Sequence, residues 1–184
     1  MQRKDELCGK ALEYFLEHGV ANLSLRPLAD AVGSSSRLLI YHFGTKEGLI
    51  TTVMDEARLR LQQSLTSLLH DTRAGAGLNT FWNWAVHPQN SRYLRLFFEV
   101  QMLALQNPDA YARYVERNSL SWLSMIEKAL PPTPERRSLA LLCGAVVDGL
   151  LLEYLNSGDL QGTTSALNIF GAMLKARRPG PRKS

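Results

Sequence analysis

With 184 residues, 45% of them hydrophobic and 21% charged, the chain has an ordinary globular composition and enough length for one or two cores. It holds no unbroken run of 18 apolar residues and opens MQRKDELCGK, without an apolar leader core, so neither a membrane span nor a secretory signal is expected. The net charge of +4 rests on a C-terminal tail with five cations (Lys175, Arg177, Arg178, Arg182, Lys183), without which the remainder falls to −1.

Residues 3–18 read as an amphipathic helix, with Leu7, Ala11, Tyr14, Phe15 and His18 on one face and Gly19 ending it. A short helix follows. Ser24 is placed to cap it with its hydroxyl, Pro27 lies in its first turn, and Leu25, Leu28, Ala29 and Val32 form its apolar face. Gly33 supplies a turn, and Ser34 or Ser35 can cap the next helix, which carries Leu38, Leu39 and Tyr41 and ends near Phe43. Two helices joined by a tight turn form the unit that lays a recognition helix in the DNA major groove.

Thr45 can cap a long fourth helix over about 45–69, with Leu49, Val53, Ala57, Leu61, Leu65 and Leu68 as its stripe. DTRAGAG (71–77) reads as a loop. A short aromatic helix (78–86) is closed by His87 and Pro88, and a helix over 90–106, apolar nearly all round, is expected to be largely buried. Asn107-Pro108 breaks that helix, and residues 109–129 form the next. PPTP (131–134) is a rigid loop before the most apolar helix, 135–156, and a last helix spans 160–176. The prediction is an all-α chain of about nine helices, dividing near residue 46 into a three-helix helix-turn-helix domain (1–46) and a C-terminal helical domain (47–176), followed by a basic disordered tail (177–184).

Residues 11–49 resemble the N-terminal domain of TetR-family transcriptional regulators. The resemblance is carried by Ala11, Tyr14, Phe15 and Gly19, then by Ser24, Arg26, Leu28, Ala29, Gly33, Ser35, Leu39, His42, Phe43, Lys46, Glu47 and Leu49. Its most specific part is Y-H-F-G-T-K-E-G-L, which fixes where the third and fourth helices meet. Two positions depart from the pattern. Ile40 stands where the family usually has a tyrosine, with Tyr41 beside it, and Ser34 replaces an apolar residue. The resemblance implies a homodimeric, cytoplasmic repressor that binds double-stranded operator DNA and answers to a small-molecule effector, with no cofactor and no membrane.

Residues 1–50 hold six basic and six acidic side chains, so DNA binding must rest on a few placed cations and helix N-termini. The expected contacts are Ser24, Arg26, Gly33, Ser35, Ser36, Arg37, Leu38, Tyr41, His42 and Lys46. Arg37 is the best candidate for a base edge, because its fork matches guanine O6 and N7. Lys46 is a phosphate clamp at the start of the fourth helix. An effector site is expected among Phe98, Met102, Tyr114, Trp122 and Val147, with Glu99 or Asp148 at its polar end. These rings and methionines suit a largely apolar molecule, and an anionic one is disfavoured. Packing of the same residues as plain core is the alternative.

An enzyme is not expected: the chain has no Gly-rich phosphate loop, paired-His motif or nucleophile elbow. A helical interaction module without DNA binding is the rival reading, supported by Ile40 and the neutral first fifty residues. Cys8 and Cys143 form no ligand pattern and are expected as small buried residues of a reducing compartment.

Overall fold

The computed structural model describes residues 2–71 and 78–176, all of its regular structure helical: α1 Gln2–His18, α2 Leu25–Ala31, α3 Ser36–Phe43, α4 Lys46–Asp71, α5 Leu78–Val86, α6 Pro88–Gln106, α7 Pro108–Ala129, α8 Arg136–Ser157 and α9 Leu160–Ala176. The loop expected at 71–77 and the tail at 177–184 lie, but for Asp71, outside the described residues.

Most boundaries follow from local chemistry. The Ser35 hydroxyl accepts from the Leu38 N–H at 3.2 Å and caps α3, and the Thr45 hydroxyl accepts from the Gly48 N–H at 2.9 Å and caps α4. Ser24 occupies the N-cap of α2 in extended conformation but makes no side-chain cap bond, contrary to expectation. Gly33 turns the chain between α2 and α3 with φ of 66°, a conformation that costs other residues dearly. Pro88 opens α6 rather than closing α5. Proline fits a helix's first turn because the missing N–H there has no intrahelical acceptor to lose.

The described chain forms two compact units. The first comprises residues up to Ser67 together with Arg92–Trp122, and the second Leu68–Ser91 with the residues from Leu123 onward. The helix-turn-helix segment therefore shares a unit with most of α4 and with parts of α6 and α7. The expected division near residue 46 is not a boundary of packing, and any such division is one of role.

In the first unit Leu7, Leu12 and Phe15 of α1, Leu28 of α2, Leu39 of α3, Leu49, Ile50 and Met54 of α4 and Leu96 of α6 are fully buried. Each such side chain contributes about 1.5–3 kcal/mol of burial. The prediction that α6 is apolar on every side and buried is corrected. Leu94, Leu96, Phe97, Val100 and Ala104 point inward, while Met102 and Leu105 face outward. His18 does not join the apolar face of α1 either, but lies exposed with its ring stacked on Tyr14.

In the second unit α5 packs on α8 and α9. Trp82 is buried and its indole N–H donates to the Thr164 hydroxyl at 2.9 Å, while Asn79 donates to Asn168 at 2.9 Å. Cys8 and Cys143 are both buried and free, and burial pushes the Cys8 thiol up to about 11.

By length and mean hydropathy α8 could cross a membrane, which the sequence reading did not anticipate; only 22% of its most apolar window is buried within the chain. Its open positions include a stripe of Leu141, Leu142, Ala145, Asp148, Gly149 and Leu152, with the charged Glu153 beside it. A lipid-facing helix would be apolar all round, whereas this one carries Asp148 within the stripe and Arg136 and Arg137 at its start.

Candidate nucleic-acid interface

Leu39 and Phe43 of α3 turn into the core, which obliges the rest of that helix to face out. Arg37 and Tyr41, four residues apart, share one outer row, and Tyr41 is 80% exposed. Ser36 and Ile40 form the neighbouring row. The side chain of Leu38 is half-buried beneath them.

Side chains of α1 brace the turn from behind. The Arg3 guanidinium donates to the Gly33 carbonyl at 3.3 Å, and the Lys4 ammonium sits 5.3 Å from the centre of the Phe43 ring. A second brace comes from α6. A Glu99 oxygen accepts from the Val20 N–H at 2.6 Å and the Ala21 N–H at 3.3 Å, just beyond the end of α1, and its other oxygen pairs with Arg95 at 3.3 Å. These are backbone donors of the segment between α1 and α2, which no helical ladder satisfies.

All ten expected DNA contacts reach the surface. Ser24, Arg26, Gly33, Ser35, Arg37 and Tyr41 are exposed, while Ser36, Leu38, His42 and Lys46 are partly so. His42 lies edge-on to Tyr41 and Phe43. Lys46 is the first residue of α4, beside a helix N-terminus whose N–H groups and dipole favour an anion. The surface thus offers two helix starts and at least three cations, Arg26, Arg37 and Lys46, on a segment, residues 1–50, of no net charge.

Residues 9–53 match the profile of the bacterial regulatory proteins, tetR family. That segment is similar to the DNA-binding domain of TetR-family regulators. It is 20% identical to the HTH-type transcriptional repressor AcnR of Corynebacterium diphtheriae over 96% of this chain and 94% of that protein. Among solved structures, a transcriptional regulator from Rhodococcus sp. RHA1 superposes with a TM-score of 0.76 at 21% identity, over 92% of this chain and 94% of that one. The multidrug binding protein EbrR, complexed with imidazole, gives 0.69 at 20% identity, over 99% of this chain and 93% of that one. At these identities the structural likeness establishes the fold, and the profile match is confined to the helix-turn-helix segment and the start of α4.

The residues expected around an effector fall in both compact units. In the first, Tyr114 is buried, Phe98 and Trp122 are half-buried, and Met102 is 52% exposed, so its side chain does not line an enclosed space there. Trp122 meets Phe97 edge-on, 6.4 Å between ring centres. Glu99 is committed to the backbone beyond α1 and is no free polar tip. In the second unit Val147 is buried in the α8 core. Asp148 stands on the exposed stripe of α8, where crowding by apolar atoms still raises its carboxyl pKa.

Sequence reading picked out Tyr114 and Glu99 but missed the other polar groups of the first unit, Asp55, Arg58, Gln62, Asn118 and Ser121. Asp55, Arg58 and Gln62 recur at helical spacing on α4, and Tyr114, Asn118 and Ser121 on α7. The interleaved apolar stripe of α4, Leu49 to Leu65, concealed them. An (i, i+3, i+7) charged and amide row was the available signal.

Proposed function

We propose that this protein is a transcriptional repressor that binds operator DNA as a homodimer in the cytoplasm and is released by a small molecule. Residues 1–46 read the DNA, and the helices beyond them dimerise and sense. The observation that carries the reading is the outer face of α3, where Arg37 and Tyr41 project from a helix capped by Ser35 and fixed to the core by Leu39 and Phe43. In such a unit the first turn of the recognition helix meets base edges while neighbouring N-termini hold phosphates. Two copies would reach successive major grooves roughly 34–36 Å apart.

Gel-shift titration of the purified protein against fragments of its source genome tests the reading. A discrete shift that survives competitor DNA is expected, and uniform weak binding would favour the rival interaction module. Within that assay, Arg37→Ala weakens the cognate complex by about 1–3 kcal/mol and relaxes preference at one base pair. Unchanged affinity and preference would remove Arg37 as a reader. Lys46→Ala weakens all sequences alike and lowers the slope of log K against log salt by about one unit, because one phosphate contact is lost. A loss confined to one sequence would contradict the phosphate assignment.

Release requires an effector with different affinities for the DNA-bound and free states. Support for sensing comes from Tyr114, Phe97 and Trp122, rings on helices that share a unit with α1–α4. An apolar body suits these rings.

A further inference from the structure

Four buried polar atoms on α4 and α7 lack a hydrogen-bonding partner within the protein: Asp55 Oδ1, Arg58 Nε, the Tyr114 hydroxyl and Asn118 Oδ1. Buried polar groups are nearly always paired, and each orphan costs its full desolvation, so four on two facing helices require an explanation; a fifth in the same unit, the Ser34 hydroxyl, lies apart in the turn before α3. They are not scattered. Tyr114, Asn118 and Ser121 share a face of α7. The Ser121 hydroxyl accepts from Arg58 at 3.3 Å and from Gln62, and Arg58 also donates to Gln62 at 3.1 Å, so this face of α7 meets the Asp55–Arg58–Gln62 row of α4. The charges of Asp55 and Arg58 act on the Tyr114 hydroxyl, although burial is the main reason its pKa is raised.

The cluster is graded from solvent inward. Arg117 is 56% exposed and pairs with Asp55 Oδ2 at 2.7 Å. Asp55 is 24% exposed, Arg58 16%. Asn118 and Tyr114 follow at 7% and 2%. A purely structural network would close on itself, but here bonds form at Gln62 and Ser121 and at the Arg117–Asp55 pair and leave the atoms between them open. On the other side, Asp55 Oδ1 and Arg58 Nη2 stand 3.8 Å apart, beyond hydrogen-bonding distance.

The orphan set defines a ligand. Arg58 Nε–H and the Tyr114 O–H call for an acceptor, and Asp55 Oδ1 and Asn118 Oδ1 call for a donor. Two guanidiniums against one carboxylate leave one positive charge, which a carboxylate would neutralise in the geometry guanidinium favours. Trp122 follows Asn118 by one helical turn and offers a ring to an apolar group. We propose that Asp55, Arg58, Tyr114 and Asn118 hold the polar head of the effector, and that the effector is a small 2-hydroxycarboxylate with an apolar side group. The carboxylate accepts from Arg58 and Tyr114, and the hydroxyl donates to Asp55 or Asn118. This rests on the effector-responsive reading above but replaces the disfavoured anion of the sequence analysis, because Arg58 was not then placed beside Tyr114.

Calorimetric titration of the full chain, with no operator present, tests the site separately from DNA binding. The probes are 3-phenyllactate, phenylalanine, 3-phenyllactamide and indole. Saturable binding of 3-phenyllactate is expected, at least about tenfold tighter than the neutral amide or the apolar ring, which lack the carboxylate's charged hydrogen bonds, and than the zwitterion, which leaves the excess positive charge of the two guanidiniums uncompensated. Tyr114→Phe, which keeps the ring, and Arg58→Gln should each weaken it about tenfold or more, with the far-ultraviolet spectrum unchanged. The proposal is overturned by absence of saturable 3-phenyllactate binding at about 1 mM, the weak end of specific affinity. It is equally overturned if the two variants bind as the wild type does, if indole or the amide binds as well as the acid, or if a crystal grown with 3-phenyllactate shows only water on the four atoms.

Discussion

Gly48→Ala should lower thermal stability by about 1–3 kcal/mol and weaken operator binding by more than the loss of folded protein explains. Gly48 lies in the first turn of α4, and its backbone conformation is ordinary for a helix. The constraint is contact. A methyl group there would run into the Phe43 carbonyl oxygen, which is backbone and cannot swing aside as a side chain would. The first turn of α4 and the last residue of α3 must therefore separate. That junction is tightly specified: Gly44 turns with φ of 82°, its N–H donates to the Ile40 carbonyl at 2.8 Å, and the Thr45 hydroxyl takes the Gly48 N–H. Separation would tilt α3 and carry Arg37 and Tyr41 off their row. Chemical denaturation gives the stability change, and gel-shift titration at a temperature where both proteins are folded gives the binding change. Gly9→Ala on α1 is the control, because a methyl there meets only the end of the Arg60 side chain at 3.8 Å. A Gly48→Ala protein with wild-type stability and affinity would show that the junction yields without cost.

The same junction shows what was legible in the sequence. Caps, turn glycines and apolar spacing are local signals, and they placed α3, α4, α5 and α9 to within a residue or two. The five expected DNA contacts on α3 reach the surface because that helix has two strong anchors, Leu39 and Phe43, which leave its other face no alternative; the other five stand at helix starts and the turn. Pro88 was misread because a proline after an apolar run can equally end one helix or start another; only the following helix decides. The effector region was less legible for a different reason. Glu99 looked like a cavity group because α6 is apolar, yet its partners are Val20 and Ala21, nearly eighty positions earlier, a pairing no local pattern encodes. The joining of Tyr114 to Asp55, Arg58 and Asn118 was invisible for the same reason, being created by two helices whose facing residues lie about 59–63 positions apart.

Leu142→Glu should convert a dimer into monomers and reduce operator affinity by orders of magnitude, the second large effect expected. The apolar stripe of α8 is matched by one on α9, where Gly162, Ser165, Ala166, Ile169, Ala172, Met173 and Ala176 are all exposed. Leu141 is 56% exposed, Ile169 60% and Met173 64%, more apolar surface on two adjacent helices than a monomer ordinarily leaves to water. The small residues among them allow two backbones to approach closely, and pairing α8 and α9 of two chains gives a symmetric four-helix interface. By symmetry a single Leu142→Glu places two carboxylates in that interface, near the existing Asp148 of each chain, where burying unpaired like charge is costly. Operator affinity falls with it, because each half-site then binds alone and the gain from linking two recognition helices is lost. Analytical ultracentrifugation reads the first effect and gel-shift titration the second. Leu142→Met, which keeps the apolar contact, should leave both intact. Sedimentation of the wild type as a monomer at micromolar concentration would sink the prediction and leave the outer faces of α8 and α9 for another partner.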